Sequence, residues 1–194
     1  MINELRPLHR AALVLADRHV VDLEPGDLGR PTPCAGWSLA ELLAHMIGQH
    51  RGFAEAVRKL DAPREAYLPV SYDPAAWRGS VDELTAAFAG ADLRAAAVAV
   101  ELTATPLPVG QLVAAQLLDT VVHTWDIAQS VGVDFTPPDD LLAATAAIAA
   151  AIPDRAFGPG RAFASRLVAN GDTWERTLAL VGRRAGVAIP SSKG

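Results

Sequence analysis

The fold is indicated first by the stretch S-L-A-E-L-L-A-H-M-I-G, which runs from Ser38 to Gly48. Ser38 and Glu41 have the spacing of a capping box, in which each side chain accepts a hydrogen bond from the other residue's backbone N–H group. The apolar residues that follow recur at helical spacing and form one stripe, made up of Leu39, Leu42, Leu43, Met46 and Ile47. The pattern predicts an amphipathic helix that begins at Ser38 and continues to about Leu60.

Five further helices are predicted by the same reasoning. Their approximate bounds are Asn3 to Val21, with Asn3 as N-cap; Ser80 to Val100, from a second capping-box pair of Ser80 and Glu83; Val109 to Val131, with Gly132 as C-cap; Asp139 to Ile152; and Asp172 to Ala185. Strand signals are weak, since segments such as Val98-Ala99-Val100 are too short to build a sheet. We therefore expect an all-α protein: a four-helix bundle over residues 1–135, a small helical C-terminal extension packed on it over residues 136–190, and a disordered tail over residues 191–194.

Composition and charge limit the classes of partner. Of the 194 residues, 51% are hydrophobic, and the net charge is −5. Because the basic residues are scattered, we expect neither nucleic acid nor a membrane surface as a partner. The single cysteine, Cys34, excludes an intramolecular disulfide, and the N-terminal residues lack the apolar segment of a signal peptide, so a cytoplasmic location is expected. The apolar fifth helix is expected either to cover the bundle or to form a homodimer interface.

A set of histidines and carboxylates is the candidate for chemistry, because the sequence contains none of the common nucleotide-binding or hydrolase motifs. Asp119 and His123 lie four residues apart on one predicted helix, so their side chains share a face and can chelate one divalent metal. These donors suit zinc, and also nickel, iron or manganese. A third ligand must come from another helix, and spacing alone does not decide between His45 and His50. Three protein ligands would leave one coordination position open.

The neighbouring residues have alternative interpretations. The face that carries Asp119 and His123 is either a metal site or a solvated polar stripe. Asp126 either orients an imidazole from behind or is a charge on the helix surface. Cys34 lies in a loop between prolines, and we expect a structural role for it, since the sequence identifies no base beside it.

Two motifs carry a resemblance to a known family. They are P-T-P-C-A-G-W-S-L-A-E-L-L-A-H-M-I-G, residues 31–48, and D-T-V-V-H-T-W-D-I-A, residues 119–128, and a later segment with L-A-L-V-G-R, residues 178–183, adds to them. In order, spacing and flanking residues they resemble the actinobacterial branch of the DinB-like superfamily, which includes proteins similar to the N-terminal domain of mycothiol-dependent maleylpyruvate isomerase. The resemblance implies a four-helix bundle whose metal is held by His45, rather than His50, together with Asp119 and His123.

The resemblance also implies a reaction class. A zinc-like ion would bind and deprotonate a low-molecular-weight thiol such as mycothiol, for transfer to, or isomerisation of, a small electrophilic substrate. Two departures separate this chain from the isomerase. Asp119 stands where the isomerase has a glutamate, and only a short extension stands where the isomerase has a larger second domain. Maleylpyruvate itself is therefore not the expected substrate.

Two function hypotheses result, because one fold hosts many functions. The first is a metal-dependent transferase or isomerase that uses a thiol. The alternative is a non-enzymatic helical bundle that binds a metal or a small molecule. A pocket above the metal ligands, lined by Trp37 or Trp77 as substrate-binding residues, would favour the enzyme, whereas Trp125 falls on the packing face of its helix.

Overall fold

The structure is a computed structural model that describes residues 4–34, 36–156, 158 and 164–185. Within these residues the helices are α1 (Arg6–Val21), α2 (Leu39–Lys59), α3 (Pro74–Ala89), α4 (Val109–Ser130), α5 (Asp139–Ala151) and α6 (Thr173–Leu180). Short strands β1 (Asp61–Ala62), β2 (Ala96–Ala99) and β3 (Thr103–Pro108) lie between α2 and α4.

The first four helices form a bundle. α2 packs against α3 and α4, and α1 packs against α4 and α3. The apolar stripe of α2 is completely buried between them, and it consists of Leu39, Leu42, Leu43, Met46 and Ile47. The mostly helical bundle that the sequence predicts is therefore confirmed.

The start of α2 is the predicted capping box. The Ser38 hydroxyl oxygen accepts a hydrogen bond from the Glu41 N–H group at 3.3 Å, and the Glu41 carboxylate accepts one from the Ser38 N–H group at 2.8 Å. The helix ends at Lys59, followed by Leu60 in the left-handed conformation, with φ of 59°. The capping box and the left-handed Leu60 thus define the two ends of α2. Between them, the helical register sets which residues face α4.

A three-stranded sheet is present, although the sequence signals for strands were judged too weak to build one. β1 pairs with β2 in parallel, and β2 pairs with β3 antiparallel. The strands contribute small buried side chains to the bundle core, namely Ala62, Ala97 and Ala99. Burial against the helices stabilises strands that are too short to persist alone, which is why local sequence patterns missed them.

The third helix begins earlier and ends earlier than predicted. Its N-cap is Asp73, whose carboxylate accepts hydrogen bonds from two backbone N–H groups of the first turn, at 2.8 Å each. Ser80 lies inside the helix, where its hydroxyl donates to the carbonyl of Trp77 at 2.8 Å. The helix ends at Ala89 rather than continuing into the segment that forms β2. The prediction that Ser80 begins this helix with a capping box is therefore wrong. Ser80 lies in the helix interior, and its hydroxyl is hydrogen-bonded to a carbonyl of the preceding turn.

The ends of the other helices differ less from prediction. α1 begins at Arg6 without a side-chain cap, and Asn3 lies outside the described residues. α4 ends one residue early, with Gly132 in the left-handed conformation beyond it. α6 has a capping box formed by Asp172 and Glu175, but it stops at Leu180, well before the predicted end.

The helices after the bundle pack on its outer side. α5 contacts α4, α1 and α6. One apolar cluster joins Leu141 of α5 and Leu178 of α6 to Leu117, Val121 and Trp125 of α4. Trp125 is 4% exposed, which agrees with its predicted packing role. α5 thus covers the bundle; residues 191–194, the predicted tail, lie outside the described part of the chain.

No helix in the described ranges has the length and apolar character that crossing a bilayer requires.

Candidate metal site

α2 and α4 bring together the three side chains that the resemblance implied. His45, Asp119 and His123 each offer one ligand atom, and these atoms lie within 4.8 Å of one another. The imidazole rings of His45 and His123 meet edge to face, with centroids 5.4 Å apart. His123 Nε2 is 3.3 Å from Asp119 Oδ1, as their shared helical face predicts. Three donors are therefore arranged around one point between two helices.

His50 is not part of this group. It follows His45 by five residues, which turns it by about 140° around the helix axis. Its Nδ1 lies 3.0 Å from the Ser80 hydroxyl, and its ring packs near Trp77, with centroids 5.4 Å apart. His50 therefore belongs to the contact between α2 and α3, and the alternative that spacing had left open is decided by the packing of α2.

Behind the three donors lies a chain of buried charges. His123 Nδ1 is 2.9 Å from Asp126 Oδ2, and since a carboxylate only accepts, Nδ1 carries the proton and donates it. Asp126 is completely buried. Its carboxylate also accepts hydrogen bonds from Arg183, with Nη2 to Oδ2 at 3.0 Å and Nε to Oδ1 at 3.2 Å. Asp126 is thus not a surface charge: it joins an imidazole of the candidate site to a residue after α6.

Arg183 was missed as a site residue by sequence reasoning. Its contact with Asp126 spans 57 positions of the chain, so no local periodicity points to it. The one signal was its place at the end of the segment L-A-L-V-G-R, which belonged to the resemblance. A long-range ion pair of this kind becomes visible only when the extension is seen docked on the bundle.

At neutral pH two of the three donors, His45 and Asp119, are in the protonation state of a metal ligand. Burial lowers the pKa of His45 to about 4, although Asp119 acts in the opposite direction, so His45 is neutral at pH 7 with a free lone pair. Burial raises the pKa of Asp119, but His123 and His45 outweigh it and hold the value at about 2. Burial likewise lowers the pKa of His123, while Asp119 and Asp126 raise it to about 9. His123 and Asp119 thus form an ion pair whose proton a divalent metal would displace.

A cavity of about 480 Å³ opens above the donors. Its wall includes all three of them, Trp37, Gln49 and Arg183, and apolar side chains such as Phe53, Leu118, Val122 and Val181. Residues after α5 also contribute, so the extension closes part of the cavity.

Of the two predicted substrate-binding tryptophans, only Trp37 reaches this cavity. Its ring lies against His45, with centroids 4.7 Å apart. Trp77 is 2% exposed in the bundle core, where its indole N–H donates to Asp17 Oδ1 at 2.9 Å. Cys34 lines the cavity, but burial raises the pKa of its thiol to about 11, although Arg183 acts in the opposite direction. At neutral pH that thiol is protonated, which fits the structural role expected for it and not that of a nucleophile.

The sequence model of the family described as mycothiol maleylpyruvate isomerase N-terminal domain matches residues 9–128. The chain belongs to this family. The match begins within α1 and ends near the end of α4, so it includes every candidate donor, but it ends before α5, α6 and Arg183.

The chain is also similar to curated relatives and to solved structures. An uncharacterized protein of Mycobacterium tuberculosis, found in strains CDC 1551 / Oshkosh and ATCC 25618 / H37Rv, is 29% identical over 159 residues, which is 75% of this chain and 78% of the relative. The crystal structure of mycothiol-dependent maleylpyruvate isomerase superimposes with a TM-score of 0.55 at 14% identity. A histidine-to-alanine mutant of the same enzyme gives 0.56 at 14% identity. Both comparisons cover 77% of this chain and 69% of the enzyme chain, and at this identity they show a common fold.

Proposed function

We propose that this protein is a metal-dependent enzyme that activates a low-molecular-weight thiol for transfer to, or isomerisation of, a small electrophilic substrate. In this proposal His45, Asp119 and His123 hold one divalent metal, with zinc as the first choice and nickel, iron or manganese as alternatives. One observation carries the proposal: three ligand atoms lie within 4.8 Å of one another in the wall of a cavity of about 480 Å³.

The donor set fits such a metal on its own chemistry. Two imidazoles and one carboxylate are borderline ligands that zinc accepts readily, and three protein ligands are typical of catalytic rather than structural zinc sites. Asp126 accepts a hydrogen bond from the Nδ1–H group of His123, so that Nε2, on the Asp119 side of the ring, is the nitrogen left to bind the metal. When bound, the metal would supply one effect, a lowered pKa for a thiol in its open coordination position.

The remaining residues of the cavity have roles that follow from their chemistry. Apolar side chains such as Phe53 and Leu118 exclude water and offer surface to an uncharged part of a substrate. Trp37 lies against His45 and presents an aromatic face to whatever binds beside the donors. We propose Trp37 as the substrate-binding tryptophan for this reason. We propose mycothiol as the thiol because the matching family is described as the mycothiol maleylpyruvate isomerase N-terminal domain.

Metal content tests the first half of the proposal. The protein is purified without a nickel column, and bound metals are measured by mass spectrometry beside His45→Ala and His123→Ala variants. Wild type should carry close to one zinc equivalent, and both variants should lose most of it. His19→Ala is the matched control, because His19 lies on α1 against Phe135, outside the cavity wall. Equal zinc in wild type and both site variants would refute the site.

Turnover tests the second half. Purified metal-loaded protein is incubated with mycothiol, or with other small thiols, and a panel of electrophiles that includes Michael acceptors and cis-configured unsaturated acids. Thiol consumption or isomerisation that disappears on metal removal and returns on zinc addition supports an enzyme. Tight zinc binding without metal-dependent turnover across the panel would favour the alternative function, a non-enzymatic bundle that binds a metal or a small molecule.

Several broader expectations also stay as proposals. We propose a functional division near residue 135, between the metal-binding bundle and an extension that closes its cavity. We also propose that neither nucleic acid nor a membrane is a partner, because the basic residues are scattered, and that the protein is cytoplasmic, as its single cysteine suggests. The homodimer alternative is testable by sedimentation of the purified chain.

A further inference from the structure

An arginine in the segment after α6 lies behind the candidate metal site, where it binds Asp126. We propose that Arg183 is a positioning residue: it fixes the Asp126 carboxylate, which in turn fixes the ring of His123, so that the extension completes the metal site. The proposal rests on the proposed function, because it needs a metal at His45, Asp119 and His123. It concerns a residue outside residues 9–128, the segment that the family's sequence model matches.

The direction of Arg183 is built into the turn that ends α6. The Gly182 N–H group donates to the Ala179 carbonyl at 3.1 Å, and the Arg183 N–H group donates to the Leu178 carbonyl at 2.8 Å. This pair of bonds is a Schellman motif, with Gly182 in the left-handed conformation at φ of 78°. A Cβ on Gly182 would lie 2.6 Å from the Cβ of Ala164, so only glycine fits. This turn therefore reverses the direction of the chain after α6 and places Arg183 next to α4.

The contact between Arg183 and Asp126 has the geometry of a fixed pair. Nε and Nη2 of the guanidinium bind the two carboxylate oxygens, at 3.2 Å and 3.0 Å. Two parallel bonds hold a carboxylate in one plane, which a single-point ammonium cannot do. The side chains are 10% and 0% exposed, and Nη1 also donates to the Val181 carbonyl at 3.3 Å. Both partners are therefore held from several sides.

The plane of the Asp126 carboxylate matters because Oδ2 accepts hydrogen bonds from both Arg183 and His123. It binds Nη2 of Arg183 and, at 2.9 Å, Nδ1 of His123. If the guanidinium is removed, the carboxylate can rotate, and the imidazole loses its fixed partner. Groups that hold a metal-binding histidine from behind typically contribute about 10–100-fold in metal affinity. If the pair of Arg183 and Asp126 only docked the extension on the bundle, it would contribute to the stability of the fold and would not affect metal affinity.

Zinc affinity of the full-length protein separates these roles. Affinity is measured by competition with a chelating indicator for wild type, Arg183→Met, Arg183→Lys and, as matched control, Arg184→Met, whose side chain is exposed. Arg183→Met should weaken zinc binding by about 10–100-fold. Arg183→Lys should weaken it by about three- to tenfold, because the charge remains and the fork is lost. Arg184→Met should stay within about twofold of wild type.

Cobalt provides a second readout that does not depend on activity. The visible absorption bands of the Co(II)-loaded protein report ligand geometry, so Arg183→Met and Arg183→Lys should shift them while Arg184→Met should not. Asp126→Asn should weaken zinc binding about as much as Arg183→Met does. Both changes break the same link from Arg183 through Asp126 to His123, so the double variant should bind zinc no more than about twofold more weakly than the single variant of lower affinity. Additive losses in the double variant would overturn the proposal.

The remaining outcomes are decisive as well. If Arg183→Met binds zinc like Arg184→Met with unchanged cobalt bands, Arg183 does not position the site and only this inference fails. If circular dichroism shows that Arg183→Met is unfolded, Arg183→Lys decides by the same two readouts. If wild type itself binds no zinc or cobalt, the proposed function fails and this inference fails with it.

Discussion

Two buried histidines outside the candidate site should make the metal-free protein sensitive to acid. His50 is fully enclosed, with Nδ1 on the Ser80 hydroxyl at 3.0 Å, and burial lowers its pKa to about 4 against an opposing effect of Asp119. His9 is 2% exposed beside Phe88, and burial lowers its pKa to about 3. Both side chains are neutral in the folded protein at pH 5, whereas the unfolded chain protonates them near pH 6.5.

The sign and size of the effect follow from proton linkage. Between pH 6.5 and 4 the unfolded state binds more protons than the folded state, so the free energy of unfolding falls as the pH falls. The contribution of each histidine is fully present above pH 6.5 and is lost as the pH approaches the folded value. From pH 7 to pH 5 the loss is about 2 kcal/mol for each group, or about 4 kcal/mol for the pair. That is a large share of the roughly 5–15 kcal/mol of a typical domain.

The assay compares pH dependences rather than absolute stabilities. Urea unfolding is followed by circular dichroism at pH 7 and pH 5, with a chelator present, for wild type and His50→Gln. The variant should lose about 2 kcal/mol less than wild type on acidification, because glutamine does not titrate while all other groups are shared. His19→Gln, a change on the partly exposed side of α1, is the control and should alter the pH dependence less. Equal losses in His50→Gln and wild type would refute the argument that burial keeps His50 neutral.

Three further predictions concern packing, the cavity and the metal. Gly52→Ala should lower the free energy of unfolding in urea by about 1–3 kcal/mol, because the new Cβ would overlap the ring of Tyr67, which packs on this face of α2; unchanged stability would mean that the ring moves freely. Val122 lines the cavity, so the larger side chain of Val122→Phe should fill part of it. Thiol binding measured by calorimetry should weaken by about tenfold, while zinc affinity should stay within about twofold of wild type. Equal losses of thiol and zinc affinity would contradict the separate roles of the cavity and the three donors. Zinc at about 1,000 times its dissociation constant should stabilise wild type by about 4 kcal/mol in thermal unfolding, and His123→Ala should show no such gain.

The helical part of the fold was accessible from local patterns. The capping box of Ser38 and Glu41, and the apolar stripe that follows it, depend on residues within one or two turns, and both are present in the structure. The pairing of Asp119 with His123 is equally local, because four residues make about one turn of any α-helix. Where local patterns failed, as at Ser80, the misread residue was buried and hydrogen-bonded inside a helix.

The sheet and the wall of the cavity could not be predicted in this way. β2 is stabilised by pairing with β1 and β3 and by burial of its alanines, and none of these contacts is visible in four residues of sequence. The local sequence does not distinguish Trp77 from Trp37, yet Trp77 packs in the core and Trp37 lines the cavity. Which surface a side chain faces depends on how its helix is rotated against distant neighbours.

The sequence by itself determined the presence of the helices, the capping box at the start of α2 and the chelating spacing of Asp119 and His123, because these properties depend on residues within one or two turns. Helical spacing left His45 and His50 open and the resemblance selected His45; the tertiary structure shows that His45, and not His50, faces that pair. Only the tertiary structure decided that Asp126 is a buried link to Arg183 rather than a surface charge. The physical reason is distance along the chain. Contacts between residues 57 positions apart depend on how helices dock, and docking is settled by packing and burial of the whole core.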